Sequence, residues 1–330
     1  MGNYYAKFSS FGSFAPAKIL TNKDLEKMVE TSDEWIRTRT GMVERHIASP
    51  EEAASDLAYQ AAINAIEASK VKYKEIDAII VATISGDHPF PSTACVLQKR
   101  LGLKGIPAFD VSAGCTGFIY ACDVARQYIE NGAATNILVL GVEILTKITN
   151  WTDRNTCVLF GDAAGAAIVS RAKPTDISRI IDSKIDADGS QGEYLIQLAG
   201  GSRLPASHET VDANQHTVYM EGNRIFKSAV KSMYAASDEL LKRNHLSSGD
   251  LDWVIPHQAN LRIIEALADK MKVPINKVIV NIHKYGNTSS ATVPLAIDEA
   301  IRAKKIRRGD IMLLTSFGAG LTWGSILARY

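Results

Sequence analysis

The side chain best placed for chemistry is a thiol. Cys115 lies in AFDVSAGCTGFIYACDVARQ, where an apolar run ends, Ser112, Ala113 and Gly114 make a tight turn, and a helical pattern starts directly after the cysteine. A side chain at a sharp strand-to-helix turn stands clear of the backbone, as a nucleophile must. The positive end of the helix dipole is expected to favour its thiolate. On this segment alone, a nucleophile and a buried structural thiol both fit. Cys122 reads as core. Cys95 (STACVLQ) and Cys157 (NTCVLF) read as packed thiols in apolar surroundings.

Three further segments carry candidates. His257 follows the strand-like LDWVIP and heads a loop into a helix expected near Asn260. The C-terminal end of a strand faces the usual ligand crevice of an α/β sheet, although a satisfied loop histidine fits as well. Asn287 follows Gly286, and Thr288, Ser289 and Ser290 after it can cap the next helix. Turn-making is the commonest fate of such an asparagine. Finally, in TSFGAGLTWGSIL a strand runs into Gly318, Ala319 and Gly320. Backbone N–H groups on such a loop can supply half an oxyanion hole, and the same residues also make an ordinary glycine-rich turn.

These residues need rigid elements behind them. An Ala-rich helical pattern covers 52–69, and a further helix is expected over 116–131. Residues 76–83 (IDAIIVAT) and 136–142 (NILVLGV) read as strands buried on both faces. The alternation predicts an α/β fold. The order helix, polar connector, strand, small-residue loop, helix, strand occurs over 57–142 and again over 233–316, with VIVNI at 278–282 as a strand of the second copy. A duplication would place the boundary near Lys173-Pro174, giving halves 1–173 and 174–330. The Gly-rich stretch 186–217 reads as loops and edge structure over a site.

The chain has 330 residues, 46% of them apolar and 22% charged, enough for a large core. A net charge of +1 gives no global basic excess for nucleic acid. No CxxC pair and no zinc-like Cys/His spacing occurs, so no metal is expected. No signal-peptide pattern and no apolar run of about 18–20 residues is seen, so neither secretion nor a membrane is expected, and the reading is cytoplasmic.

Read together, nine segments are similar to one family. They are TSDEWIRTRTGMVERHIA (31–48), FPSTAC (90–95), AFDVSAGCTGF (108–118), WTDRNTCVLFGDAAGAA (151–167), DADGS (186–190), MEGNRIFK (220–227), PHQANLRII (256–264), GNTSSATVP (286–294) and SFGAGLTWGS (316–325). In this order they resemble the thiolase-fold condensing enzymes, above all the 3-oxoacyl-[acyl-carrier-protein] synthase III (beta-ketoacyl synthase III) family. The resemblance implies two similar α/β halves in a thiolase-like five-layer αβαβα sandwich, normally a homodimer. It implies that Cys115, His257 and Asn287 form a Cys-His-Asn triad, with the N–H groups of Cys115 and Ala319 as the oxyanion hole.

The implied reaction is decarboxylative condensation of an acyl-CoA primer with malonyl-acyl-carrier protein, initiating type II fatty acid synthesis with no metal or redox cofactor. Trp35, Arg39 and Arg154 carry over to the CoA nucleotide, Gly222, Asn223 and Ala259 to its pantetheine arm, Phe317 to the side of the cysteine, and Phe90 to the neighbouring subunit's acyl pocket. Lys227, Arg262 and Lys270 match carrier-protein docking positions, while Asp269 stands where relatives carry a basic residue. The run 304–308 reads instead as a solvated helix end.

Other classes fit less well. Elongating synthases pair the cysteine with two histidines, and thiolases use a second cysteine near the C-terminus, where this chain has none after 157. Chalcone-type synthases are longer and lack TSDEWI. A papain-like hydrolase would show its own cysteine signature, and a non-catalytic carrier-protein binder needs no thiol at a helix start. A synthase III-like acyltransferase or condensing enzyme of secondary metabolism remains the alternative.

Overall fold

The buried apolar runs become strands that alternate their side chains between two cores, and this fixes the layering. In Ala78–Ala82, the side chains of Ala78, Ile80 and Ala82 enter a central core while Ile79 and Val81 enter an outer one. Asn136–Ile144 repeats this, with Ile137 and Val139 inward and Leu138, Leu140 and Val142 outward. The period of two on a strand covered on both faces accounts for the continuous apolar pattern. The computed structural model describes residues 4–330.

One five-stranded sheet has the order Tyr5–Phe14, Asp162–Ala172, Asn136–Ile144, Ala78–Ala82, Ala108–Val111. The last three are parallel and the first two antiparallel to their neighbours. A four-stranded sheet has the order Trp253–Pro256, Ile311–Gly318, Thr322–Arg329, Arg179–Ala187, again with one parallel pairing and two antiparallel ones. Helices Gly117–Glu130 and Thr292–Arg302 lie between the sheets. Ala54–Ala68 and Thr93–Arg100 cover one outer face, and Gly222–Arg243 with Leu261–Met271 the other. The result is a five-layer αβαβα sandwich. Among the described residues, no helix is long and apolar enough to cross a membrane.

The expected strand at 278–282 is reduced to one bridge, Val254 to Val278. The reason is local. Beyond Ile279 N–H, which donates to Val254 O, the Gln258 side chain takes over the ladder groups: its Nε2 donates to Ile279 O (3.1 Å) and its Oε1 accepts from Asn281 N–H (3.1 Å). The run 304–308 also differs from a purely solvated end, since Arg308 lies over the Tyr330 ring at 3.9 Å and donates to Phe8 O at 2.9 Å.

Candidate active site

Cys115 sits past the strand Ala108–Val111, in a single 3-10 turn at Gly114–Thr116 that leads into the α-helix from Gly117. Two glycines let backbones meet around it. Gly114 has φ +51°, and a Cβ there would lie 2.7 Å from the nitrogen of Ala319. A Cβ on Gly318 would lie 2.4 Å from the nitrogen of Cys115. Only bare backbone allows these approaches. The turn is pinned to the C-terminal sheet by Ser316 Oγ donating to Cys115 O (2.7 Å) and Thr322 Oγ1 donating to Ala113 O (2.8 Å). Among the described residues, the N–H groups of Cys115 and Ala319 make no backbone hydrogen bond outside the regular elements, and Ala319 keeps a negative φ.

His257 continues the Trp253–Pro256 strand by one bond, its N–H donating to Thr315 O at 2.8 Å. Its Nδ1 lies 2.7 Å from Thr292 Oγ1. Burial pulls the imidazole down to about 3, so it is neutral at ordinary pH. Asn287 is clamped to the other half of the molecule: its N–H donates to Leu159 O (2.8 Å) and its carbonyl accepts from Gly161 N–H (3.1 Å). Its side-chain Oδ1 accepts from Ser289 N–H (2.9 Å), which leaves the amide N–H₂ as the end free for a ligand.

Cys115, His257, Asn287, Phe317, Ala319, Gly222 and Ala259 all line one cavity of about 300 Å³. Its walls are mostly apolar and include Leu195, Ile196, Val218 and Met220, from the short strands Leu195–Gln197 and Val218–Met220. The cavity mouth therefore uses part of the stretch the sequence marks as covering a site. Asn223 is exposed at the start of its helix, outside the cavity wall. Trp35 is half-buried, positioned by the Ser32 cap on its N–H (3.1 Å), with the guanidiniums of Arg154 and Arg39 at 5.3 and 5.7 Å from its ring centroid. Phe90 is 85% exposed and does not enter this cavity. Lys227, Arg262 and Lys270 are exposed on the two outer helices, Lys270 lying over the Tyr234 ring.

Three expectations are corrected. The helix start does not leave Cys115 as a resting thiolate: burial pushes its thiol up to about 12, a Ser289 hydrogen bond opposes this, and the Glu143 carboxylate nearby adds to the rise. Cys95 is exposed rather than packed, because its helix turns that side outward. Thr288, Ser289 and Ser290 do not cap the next helix. Instead Ser289 Oγ (3.2 Å) and Ser290 Oγ (3.0 Å) approach Glu143 Oε1.

Sequence reasoning missed Glu143 and Thr292. Glu143 was legible as the one charge in NILVLGVEI. It is fully buried, and burial raises it to about 7 against the hydroxyl and N–H groups that hold it. Thr292 carried no signal, since its contact with His257 spans 35 residues.

Known proteins are similar to this chain over nearly its whole length. A model of the 3-oxoacyl-[acyl-carrier-protein] synthase III family matches residues 109–189, and one of the C-terminal part of the same synthase matches 241–330. The chain is 54% identical over 319 residues to beta-ketoacyl-[acyl-carrier-protein] synthase III of Caldanaerobacter subterraneus subsp. tengcongensis, covering 97% of this chain and 96% of that protein. The Xylella fastidiosa synthase of the same name is 49% identical, covering 99% and 98%. The crystal structure of 3-oxoacyl-[acyl-carrier-protein] synthase III from Aquifex aeolicus superposes with a TM-score of 0.91 at 46% identity, covering 98% of this chain and all of that one.

Proposed function

The chain belongs to the beta-ketoacyl-[acyl-carrier-protein] synthase III family, and from that premise we propose that Cys115, His257 and Asn287 carry its reaction. It is a condensing acyltransferase that initiates fatty acid synthesis, joining an acyl group from acyl-CoA to malonyl-acyl-carrier protein. The observation that carries the residue assignment is the single cavity shared by the three side chains and by Ala319.

Cys115 sulfur attacks the acyl-CoA carbonyl. Exchange of one thioester for another is nearly neutral, so the site must mainly stabilise the tetrahedral oxyanion. The N–H groups of Cys115 and Ala319 are the donors, each worth about 2.7–4 kcal/mol in such holes. CoA leaves, and the malonyl thioester enters. Loss of carbon dioxide gives an enolate, whose oxygen accepts from the Asn287 amide and from His257. Thr292 sets the tautomer this requires. Its hydroxyl reaches both Ser289 O (2.9 Å) and Nδ1 (2.7 Å), and turning its hydrogen to Nδ1 puts the ring proton on Nε2. The enolate carbon then attacks the acyl carbon, the bond from that carbon to the Cys115 sulfur breaks, and a proton taken up from solvent restores the thiol. Every step uses these groups, a solvent proton and the substrate's own carboxylate, so the reading calls for no metal or redox cofactor.

Trp35 and Arg154, with Arg39, hold the CoA adenine. Stacking on both faces needs about 7–8 Å between them, so Arg154 must swing out by about 2 Å from its 5.3 Å rest position. Gly222, Asn223 and Ala259 border the pantetheine arm, and Phe317 packs beside the sulfur. Lys227, Arg262 and Lys270 form the basic rim for the acidic carrier protein. Division into halves at 173/174 accords with one sheet built from strands within 5–172 and the other from strands within 179–329.

A homodimer is proposed on two grounds. Among the described residues, Ala108–Val111 is a sheet edge without a strand partner on one side. Phe90 is a large apolar side chain exposed to 85%, suited to the partner's acyl pocket. The compartment is read as cytoplasmic.

The test is intact mass after incubation with a panel of acyl-CoAs, with Cys115→Ala in parallel. One acyl adduct, absent from the variant and discharged by malonyl-acyl-carrier protein with release of carbon dioxide, is expected. An adduct that forms on Cys115 yet persists with that acceptor would favour an acyltransferase acting on another acceptor. An adduct that survives in the variant would remove Cys115 from its role.

A further inference from the structure

We propose that Ser289 and Glu143 form a proton relay for the acylation step: Ser289 Oγ takes the Cys115 thiol proton while passing its own to Glu143, and the path runs backwards to protonate the departing CoA sulfur. The proposal rests on Cys115 being the nucleophile.

Three features of the geometry carry it. First, the groups adjoin: Ser289 lines the same cavity as Cys115, and its hydroxyl lies 3.2 Å from Glu143 Oε1. Second, Ser289 is held there at a cost, with φ +47° in a residue that has a Cβ, and with its N–H fixed on Asn287 Oδ1. Third, Glu143 has good partners in both protonation states. Ionised, it accepts from Ser85 Oγ (2.5 Å), Ile84 N–H (3.2 Å) and Ser289 Oγ. Protonated on Oε1, it can donate to Ser290 Oγ at 3.0 Å, because that hydroxyl has Ala82 O, also at 3.0 Å, to receive its own hydrogen.

The chemistry needs such an acceptor. An ionised thiol beside an ionised Glu143 would put two negative charges in one dry pocket, whereas transfer between them keeps a single charge. Among the described residues, the groups facing Glu143 are the hydroxyls of Thr83, Ser85, Ser289 and Ser290 and the Ile84 N–H, and the Glu143 charge in turn raises the Cys115 thiol. In the step, the S–H bond breaks and the sulfur lone pair forms the bond to the acyl carbon. The carbon–sulfur bond to CoA then breaks, and the proton held on Glu143 ends on the CoA thiol. No oxidant, reductant or further reactant is needed. Glu143 acts through Ser289 and is a positioning residue in this sense, while His257 is the rival proton acceptor.

The experiment is rapid-quench intact mass of acyl-Cys115 formation from pH 5.5 to 9, using the acyl-CoA the wild type accepts best. Wild type is expected to gain about tenfold per pH unit up to about 7, where Glu143 ionises, and then level off. Glu143→Gln and Ser289→Ala are expected to acylate about 10²-fold more slowly, with the limb near 7 gone. Each variant, once acylated by long incubation, is expected to discharge to malonyl-acyl-carrier protein within about threefold of wild type, which a collapsed site would not do. Variants that acylate at the wild-type rate with the limb intact overturn the relay, as does transfer of the limb's dependence to His257→Ala. Acylation that survives Cys115→Ala overturns the nucleophile assignment instead.

Discussion

Replacing Gly114 by alanine tests whether the oxyanion donors are where the reaction needs them. The new Cβ would start 2.7 Å from the nitrogen of Ala319 and 3.2 Å from its oxygen, whereas ordinary contact begins at 3.4 Å. The Gly318–Gly320 loop must therefore move by about 0.7 Å. A hydrogen bond of about 2.9 Å stretched by that amount is about 3.6 Å and no longer counts as one. Loss of one oxyanion donor is worth about 2.7–4 kcal/mol, or about 10²–10³ in rate. The positive φ of +51° adds a stability cost of about 1–2 kcal/mol.

Gly102→Ala separates the two effects. Gly102 has φ +69° and nothing within 4 Å of the position a Cβ would take, so this variant carries the backbone strain without the clash. The assay is the single-turnover acylation rate by mass, beside Tm for both variants. Both are expected to lose a few degrees, while only Gly114→Ala loses the rate. A folded Gly114→Ala that acylates within about threefold of wild type would refute the placement of Ala319 N–H in the oxyanion hole.

Other perturbations probe separate parts of the site. Thr292→Val leaves His257 Nδ1 without its partner. An unsatisfied buried polar group costs about 1–3 kcal/mol, so condensation should fall about 5–150-fold while the acylation rate stays near wild type; equal loss in both half-reactions would contradict the tautomer argument. Trp35→Ala removes a base-stacking face worth about 1–3 kcal/mol and should raise KM for acyl-CoA about 5–150-fold with little change in kcat; an unchanged KM would take adenine away from Trp35. The buried His257 also links stability to acid. Its folded pKa of about 3 lies below the ordinary 6.5, so its contribution is complete above 6.5 and is lost as pH falls toward 3. At about 1.36 kcal/mol per unit this is about 5 kcal/mol. Tm against pH should drop less steeply over that range in His257→Gln than in wild type, and parallel curves would count against a buried neutral imidazole.

Much of the fold was legible because its signals are local. Strands buried on both faces must be apolar throughout, as Ala78–Ala82 and Asn136–Ile144 are, and the small residues before Cys115 are required by the turn they make. The order of motifs was enough to identify the family and, through it, the residues to watch. Exceptions arose where a side chain replaced a regular backbone pattern. Gln258 takes over the ladder beyond Ile279, so VIVNI is no strand, and Glu143 draws Ser289 and Ser290 away from helix capping.

What the sequence by itself determined is the set of elements, the family, and which side chains carry reactive groups. Tertiary structure alone decided their ionisation and their company. Thiol acidity depends on desolvation and on a carboxylate 28 positions away in the chain, so Cys115 is a resting thiol despite the helix behind it. The proton on His257 depends on Thr292, and the reach of Asn287 depends on its clamp to Leu159 and Gly161. These are pairings between distant segments, set by how two sheets close on the helices between them, and no local spacing encodes them.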